Sequence, residues 1–234
     1  MSKFSDARRK AYKERDWDKV IQYGEMEIKQ DPQDLKALND LSYAYFNKRN
    51  YDRALSLCER IYEISPPGDL ALQAQRLGAR YMRHHEVLGE LYHLRGRDDD
   101  ALKIFERLKA LGPVFSKKYS LSAKIYMQGA DYDAAAKEYL NMALNCPRRF
   151  NEAATGLLDL VDVDPLNDSV YSALFEIYSE ANQLQSIIAS YDALRSTGKA
   201  KDRFLFTLIH MLYLSDENEK AVTILKEEVQ KKIG

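Results

Sequence analysis

The sequence predicts an all-α protein built from stacked antiparallel helix pairs, and three observations carry this prediction. Apolar residues recur at helical spacing along most of the chain. Only 10 Gly and 6 Pro interrupt its 234 residues. Four of the prolines follow related segments and are separated by 34, 47 and 34 residues: Pro32, Pro66, Pro113 and Pro147. Because 47 is 34 plus an insertion of 13, the spacing indicates a 34-residue repeat.

The segments that precede these prolines are copies of one amphipathic helix. Their first residues are Trp17-Asp-Lys-Val20, Tyr51-Asp-Arg-Ala54, Asp98-Asp-Asp-Ala101 and Tyr132-Asp-Ala-Ala135. An Asn or Asp stands just before three of them, at Asp16, Asn50 and Asp131. A side-chain oxygen at that position caps the first free amides, so the spacing predicts helix starts there.

A partner helix precedes each of these segments. Its apolar positions in three copies are Leu38, Leu41 and Tyr45, then Leu88, Gly89 and Tyr92, then Tyr119, Ala123 and Tyr126. Weaker copies follow, with Tyr171, Leu174, Phe175 and Tyr178 before Ile187, Tyr191 and Leu194, and with Phe206, Ile209 and Tyr213 before Ala221 and Leu225. The repeated unit is therefore a helix, a tight turn and a second helix.

This unit resembles the tetratricopeptide repeat (TPR), a 34-residue helical hairpin with small and aromatic residues at fixed places. Gly89 stands where the first helix needs a small residue to let its neighbour approach, and Ala54, Ala101 and Ala135 stand where the second helix packs back. The resemblance covers nearly the whole chain. It implies a TPR-type right-handed superhelix of about 5 to 6 repeats with an irregular middle.

Two irregularities interrupt the repeat. The 13 extra residues follow Pro66, and the pattern over 69–95 predicts one long helix. Between Pro147 and Pro165 there is room for a single helix, over 151–163, and regular pairing resumes at Asp168. We expect one solenoid domain over 1–234 with a seam near 148–167. A repeat stack normally ends in a polar capping helix, and this sequence reaches Gly234 without one. We therefore expect either further chain or a partner beyond the last helix.

Composition narrows the classes of partner and the location. Lys and Arg (35) nearly balance Asp and Glu (36), which argues against nucleic acid and anionic membrane as partners. The first ten residues are polar and no apolar run is long enough for a membrane span, so we expect a cytoplasmic protein. Cys58 and Cys146 lie within helical patterns and are interpreted as small buried hydrophobes.

Motifs for catalysis are absent from the sequence. It has no glycine-rich phosphate loop, no Gly-x-Ser-x-Gly and no cysteine pair at zinc spacing. We therefore predict a protein that is not an enzyme and carries no cofactor or metal. The nearest metal candidate is His84-His85-Glu86 with Glu90 and His93, but adjacent histidines on a helix point about 100° apart. A solvated or partner-facing helix is the favoured interpretation.

Most of the 16 tyrosines fit repeat packing, because four of them recur at one place in the pattern: Tyr45, Tyr92, Tyr126 and Tyr178. Tyr12, Tyr43 and Phe46 flank that core position. For these three, contact with a partner and ordinary packing are equally supported.

The resemblance implies a partner segment bound in a concave groove lined by the first helix of each repeat. Helix projection places these candidate binding residues in it: Arg9, Lys13, Lys36, Asn39, Tyr43, Asn47, Arg83, Lys117 and Lys124. The same projection adds Glu86, Glu90, Ser120, Glu176 and Glu180. Residues 1–129 hold 24 basic and 19 acidic side chains, against 11 and 17 in 130–234. A polar partner could recognise that direction, but ordinary solvated faces are the favoured interpretation of the asymmetry.

One TPR subclass clamps the C-terminal carboxylate of heat-shock proteins, and it can be compared position by position. It requires Lys and Asn on the first helix, where this chain has Ser5 and Arg9, and Asn on the next first helix, where this chain has Asp40. An acid there would repel a carboxylate, so this subclass is disfavoured.

The leading hypothesis is a non-enzymatic scaffold that binds a segment of another protein. The alternative is a structural protein that assembles through its ends into homo-oligomers. An enzyme would rest on the histidine cluster alone. A nucleic-acid-binding repeat ranks last, because the net charge is near zero.

Overall fold

The computed structural model describes residues 3–65, 78, 82–109, 117–197 and 202–233. Within these ranges the chain forms 13 α-helices and a 3₁₀ turn at Pro147–Arg149, and no described residue lies in a strand. The helices are α1 (Lys3–Glu14), α2 (Trp17–Gln30), α3 (Leu35–Asn47), α4 (Tyr51–Ile64), α5 (Arg83–Leu94), α6 (Asp98–Lys109), α7 (Lys117–Gln128), α8 (Tyr132–Asn145), α9 (Phe150–Val163), α10 (Asp168–Glu180), α11 (Leu184–Ser196), α12 (Asp202–Leu214) and α13 (Asn218–Ile233). The all-α prediction is confirmed.

The predicted capping residues begin their helices. The side chain of Asp16 accepts a hydrogen bond from the amide of Lys19 at 3.1 Å. Asn50 and Asp131 make the equivalent bond three residues ahead, at 3.2 Å and 3.0 Å. Each bond satisfies a backbone amide that has no partner inside the helix, which fixes the first residue of α2, α4 and α8.

Six helix pairs share one turn. The pairs are α1–α2, α3–α4, α5–α6, α7–α8, α10–α11 and α12–α13, and α9 stands alone between the fourth and fifth. In each pair one residue after the first helix has a positive φ of 54° to 70°: Arg15, Arg49, Gly96, Ala130, Asn182 and Asp216. The next amide donates to a carbonyl five residues back at 2.8 to 3.0 Å, as Asp131 does to Tyr126. This turn is therefore the feature that all six pairs have in common. Helix α9, which lies outside the pairs, forms the predicted irregular middle.

Small residues allow adjacent helices to approach closely. A Cβ atom placed on Gly89 would lie 2.5 Å from the Phe105 ring, and one on Gly156 would lie 2.4 Å from the Tyr139 ring. Real Cβ atoms do not approach that closely, so these contacts require glycine. The predicted role of Gly89 is confirmed, and the alanines at 54, 101 and 135 are all fully buried. Of the four predicted core tyrosines, Tyr178 is buried and the other three are half-buried.

The chain divides into two compact units, Met1–Lys118 and Tyr119–Gly234. In the first unit, α3 packs against α2, α4 and α5. In the second, α8 packs against both α9 and α10, and α10 packs against α12. The segment 148–167 thus lies within the second unit, and its helix α9 contributes Leu157 and Leu160 to that core. A single solenoid domain over 1–234 stays a prediction.

The expected long helix over 69–95 is wrong. Helix α5 begins only at Arg83, and Gly78 has a φ of +93°, which a right-handed helix does not allow. Most of 66–81 lies outside the described residues.

Both cysteines are buried, as predicted. Burial raises the pKa of the Cys58 thiol to about 12, so it stays protonated and unreactive.

None of the described helices is long and apolar enough to cross a membrane.

The close contact at Gly156 gives a stability prediction. Gly156→Ala should push the new methyl group into the Tyr139 ring and lower the free energy of unfolding by about 1 to 3 kcal/mol. Gly129→Ala is the matched control, because its Cβ would meet no atom nearer than 3.6 Å. Urea unfolding followed by circular dichroism measures both. If Tyr139→Leu does not reduce the effect of Gly156→Ala, the two helices do not meet at this point.

Candidate functional site

The nine predicted groove residues lie in three different environments. Four are exposed: Lys13, Asn47, Lys117 and Lys124. Four are half-buried: Arg9, Lys36, Tyr43 and Arg83. One, Asn39, is completely buried. Burial therefore separates the side chains that a partner can reach from one that it cannot.

The predicted surface role of Asn39 is wrong. Its Oδ1 accepts a hydrogen bond from the backbone amide of His84 at 3.0 Å and lies 3.3 Å from the Nδ1 of that histidine. The amide side chain thus joins α3 to α5 inside the first unit. Glu86 and Ser120, also projected onto the groove, are buried as well.

Three aromatic rings and one arginine form a cluster in the first unit. Tyr12 of α1, Trp17 of α2 and Tyr43 of α3 contact one another with ring centroids 5.5 to 5.7 Å apart. Arg83 of α5 lies 4.9 Å above the Tyr43 ring. All four side chains are half-buried, so each keeps part of its surface open to solvent. We call these four residues the aromatic–arginine cluster.

Arg83 supplies the charge of this cluster. Its guanidinium donates to the Tyr43 hydroxyl at 3.3 Å, while its Nε is buried and makes no hydrogen bond within the described ranges. Burial acts to lower the pKa of Arg83, but the nearby Tyr12, Tyr43 and Glu86 outweigh it and raise that pKa. A cation held over an aromatic face in this way can pair with a carboxylate and stack against a planar group.

A buried ion network positions the helices that carry the cluster. Arg8 of α1 is fully buried, and its Nε lies 2.6 Å from Glu27 of α2. Its Nη1 lies 3.0 Å from Asp40 of α3 and donates to the Lys36 carbonyl at 2.6 Å. Tyr12 stands one turn after Arg8 on the same helix. The network therefore fixes where Tyr12 meets Tyr43.

The same network explains the departure from the carboxylate-clamp pattern. Asp40 is buried and paired with Arg8. It therefore has a structural role between helices and does not line an open surface. The sequence pattern contained no signal for this, since a charged residue on a helix is normally solvated.

The paired histidines belong to the core. His84 and His85 are both buried, and the Tyr62 hydroxyl lies 2.5 Å from the Nδ1 of His85. The interpretation of a solvated or partner-facing helix is wrong for these two residues. His93 is half-buried and contacts Asp98 at 2.7 Å. No group of three or more metal-ligating side chains occurs among the residues that the structure describes.

Three other predicted residues have polar neighbours. Arg9 and Lys36 line one small cleft of about 300 Å³, which also contains Asp31 and Asp34. Lys117 lies 4.0 Å from Glu90.

Sequence reasoning did not assign Trp17 to the site, although its position just after the first repeat turn could have suggested contact with Tyr12.

Comparison with known proteins gives family and fold matches. Models of the tetratricopeptide repeat match residues 11–69 and 85–113. No curated protein sequence matches the chain significantly.

Two crystal structures of the protein MamA are similar in fold at 16% identity. One covers 80% of this chain and 98% of its own length with a TM-score of 0.57, and the other covers 78% and 92% with a TM-score of 0.58. A tetratricopeptide repeat protein from Parabacteroides merdae aligns at 12% identity over 96% of this chain and 91% of its own, with a TM-score of 0.44.

The buried ion network gives a second stability prediction. Asp40→Asn leaves Arg8 buried with one carboxylate fewer and should lower the free energy of unfolding by about 3 kcal/mol. Asp18→Asn, which removes an exposed ion pair with Lys48, is the control and should cost less than about 1 kcal/mol. Chemical denaturation measures both, and equal small effects would show that Arg8 does not depend on Asp40.

His85 gives a prediction for pH. Burial, aided by the charges of His84 and Arg107, lowers the pKa of His85 from 6.5 to about 2. Below about pH 6.5 the unfolded chain therefore binds a proton that the folded chain refuses, so stability should fall progressively as the pH drops from 6.5. His85→Gln should make the loss between about pH 6.5 and 4 shallower. Identical pH slopes of the unfolding free energy for variant and wild type would contradict this.

Proposed function

We propose that this chain, which matches tetratricopeptide repeat models over residues 11–69 and 85–113, is a non-enzymatic scaffold that binds a segment of another protein. In the first unit, the partner segment lies on the aromatic–arginine cluster. The observation that carries this proposal is the half-buried Arg83 stacked over Tyr43, with Tyr12 and Trp17 beside it.

The cluster has the properties of an energetic centre of an interface. Tyr, Trp and Arg dominate binding energy in protein interfaces, since large rigid side chains bury much area at low entropic cost. Here the contacts among the four side chains already restrict their rotation. A partner therefore binds a surface that is ordered in advance, which reduces the cost of association.

The charges of Arg83 and of helix α1 favour an acidic partner segment. Helix α1, which supplies Tyr12, carries Arg9, Lys10 and Lys13 with at least part of their surface exposed, against the two exposed acids Asp6 and Glu14. Asn47 is exposed and donates to the Tyr43 carbonyl at 2.7 Å, which places its side-chain oxygen near the cluster as an acceptor for a backbone amide. We therefore propose an extended segment that presents acidic side chains to these cations.

Lys117 is proposed as a peripheral contact in the first unit. It is exposed on α7, and exposed charges at the edge of an interface act mainly on encounter. Charge reversal at Lys117 is expected to slow association and to change its salt dependence more than it changes dissociation. Lys124 belongs to the second unit and is not part of this proposed site.

The binding test uses peptides selected on the immobilised full-length chain from a random display library. The selected peptides should be enriched in Asp and Glu. In calorimetry, Tyr43→Ala should weaken their binding by about 30-fold or more, which corresponds to about 2 kcal/mol. Arg83→Gln should weaken it by about tenfold or more and reduce its salt dependence.

Two controls separate this site from other surfaces. Tyr51→Ala removes an exposed tyrosine of α4 in the same unit, and Lys137→Glu changes an exposed residue of α8. Neither should change the affinity. If Lys137→Glu abolishes binding while Tyr43→Ala and Arg83→Gln leave it unchanged, the partner binds elsewhere and the proposed site is wrong.

A further inference from the structure

Helix α13 has an apolar stripe on its exposed side. Val222, Leu225 and Val229 are 49%, 48% and 48% exposed, whereas Ala221 and Ile224 of the same helix are buried in the second unit. The exposed residues follow one another at intervals of three and four. This is the spacing of the seam by which one helix packs along another in a coiled coil.

The stripe borders an apolar cleft of about 660 Å³ between α10, α12 and α13. Its floor includes His210, whose ring stacks on Tyr171 with centroids 3.6 Å apart. Tyr213 at its edge is 65% exposed. Its lining includes Ile209, Leu214, Val222 and Leu225. An apolar surface of this kind is typical of a contact with another protein.

We propose that this surface binds a second copy of the chain, with the two α13 helices antiparallel about a twofold axis. When Val222 of one copy packs against Leu225 of the other, the twofold axis also packs Leu225 of the first copy against Val222 of the second. Both exposed residues of each copy are then covered. The same register brings Val229 of each copy to Asn218 of the other, at the edge of its cleft. The interface therefore uses the same surface on both copies.

The charges beside the stripe specify a second copy as the occupant. Glu219 and Lys226 are both exposed, lie seven residues apart and flank the stripe on the same side. In the antiparallel register, Glu219 of each copy lies beside Lys226 of the other, which gives two ion pairs of opposite charge.

The other flank adds no repulsion between like charges. Ala221 is buried there, and the Glu228 carboxylate is already bound by Lys231 at 2.6 Å and by Arg195 at 3.6 Å. Two antiparallel copies of α13 therefore bring apolar residues against apolar residues and opposite charges beside each other.

Sedimentation equilibrium of the full chain over a wide range of concentration tests this proposal. The wild type should show a reversible monomer–dimer equilibrium, and Leu225→Glu should raise the dissociation constant by about 100-fold or more. Leu144→Glu is the matched control, because Leu144 of α8 is 43% exposed and lines a different cleft of the second unit. Circular dichroism verifies that each variant keeps its helices.

A charge exchange tests the register. Glu219→Lys and Lys226→Glu should each weaken the dimer by about tenfold, since each places like charges together twice, and the double variant should restore it. The proposal is overturned by a wild type that is monomeric throughout, by larger species that grow with concentration, by a dimer insensitive to Leu225→Glu, or by a double variant no better than the singles.

Discussion

The turn that reverses the chain inside each helix pair is the constraint on which the rest of this structure depends. In six pairs, a residue in the left-handed region is followed by an amide that donates to a carbonyl five residues back. The bond satisfies a carbonyl that the helix end would leave unpaired, and it sends the second helix back along the first. Antiparallel pairing then follows, and small residues such as Gly89 and Gly156 decide how closely adjacent helices approach. Only one of the six left-handed residues is glycine, so the contacts between helices offset a local cost of about 1 to 2 kcal/mol at each of the other five.

The first unit adds polar ties to this apolar framework. Arg8 links α1 to α2 and α3 through two carboxylates and a carbonyl, and Asn39 links α3 to α5 through His84. Breaking either tie would leave polar atoms buried without partners, so both ties specify one relative placement of the helices. The aromatic–arginine cluster takes one side chain from each of α1, α2, α3 and α5. Its geometry therefore depends on the same ties.

Sequence reasoning predicted those features that repeat at a fixed spacing. The helix starts at Asp16, Asn50 and Asp131, the close approach at Gly89 and the single helix before Asp168 all follow from a residue type at a given register position. Asn39 and His85 show the limit of this reasoning. A polar residue on a helix face is normally solvated, and whether it instead points into the core depends on a partner far away in the sequence. The break at Gly78 was missed because a lone glycine is weak evidence against a helix.

Hydrogen exchange of the full chain, alone and with a selected acidic peptide, tests the central claim that the first unit binds a partner through the aromatic–arginine cluster. Amide exchange should slow on peptide addition in α1, α3 and α5, the helices that supply Tyr12, Tyr43 and Arg83. Exchange in α13 should not respond to the peptide, because the proposed self-association uses a separate surface. Protection confined to α13, or to helices that contribute nothing to the cluster, would contradict the account.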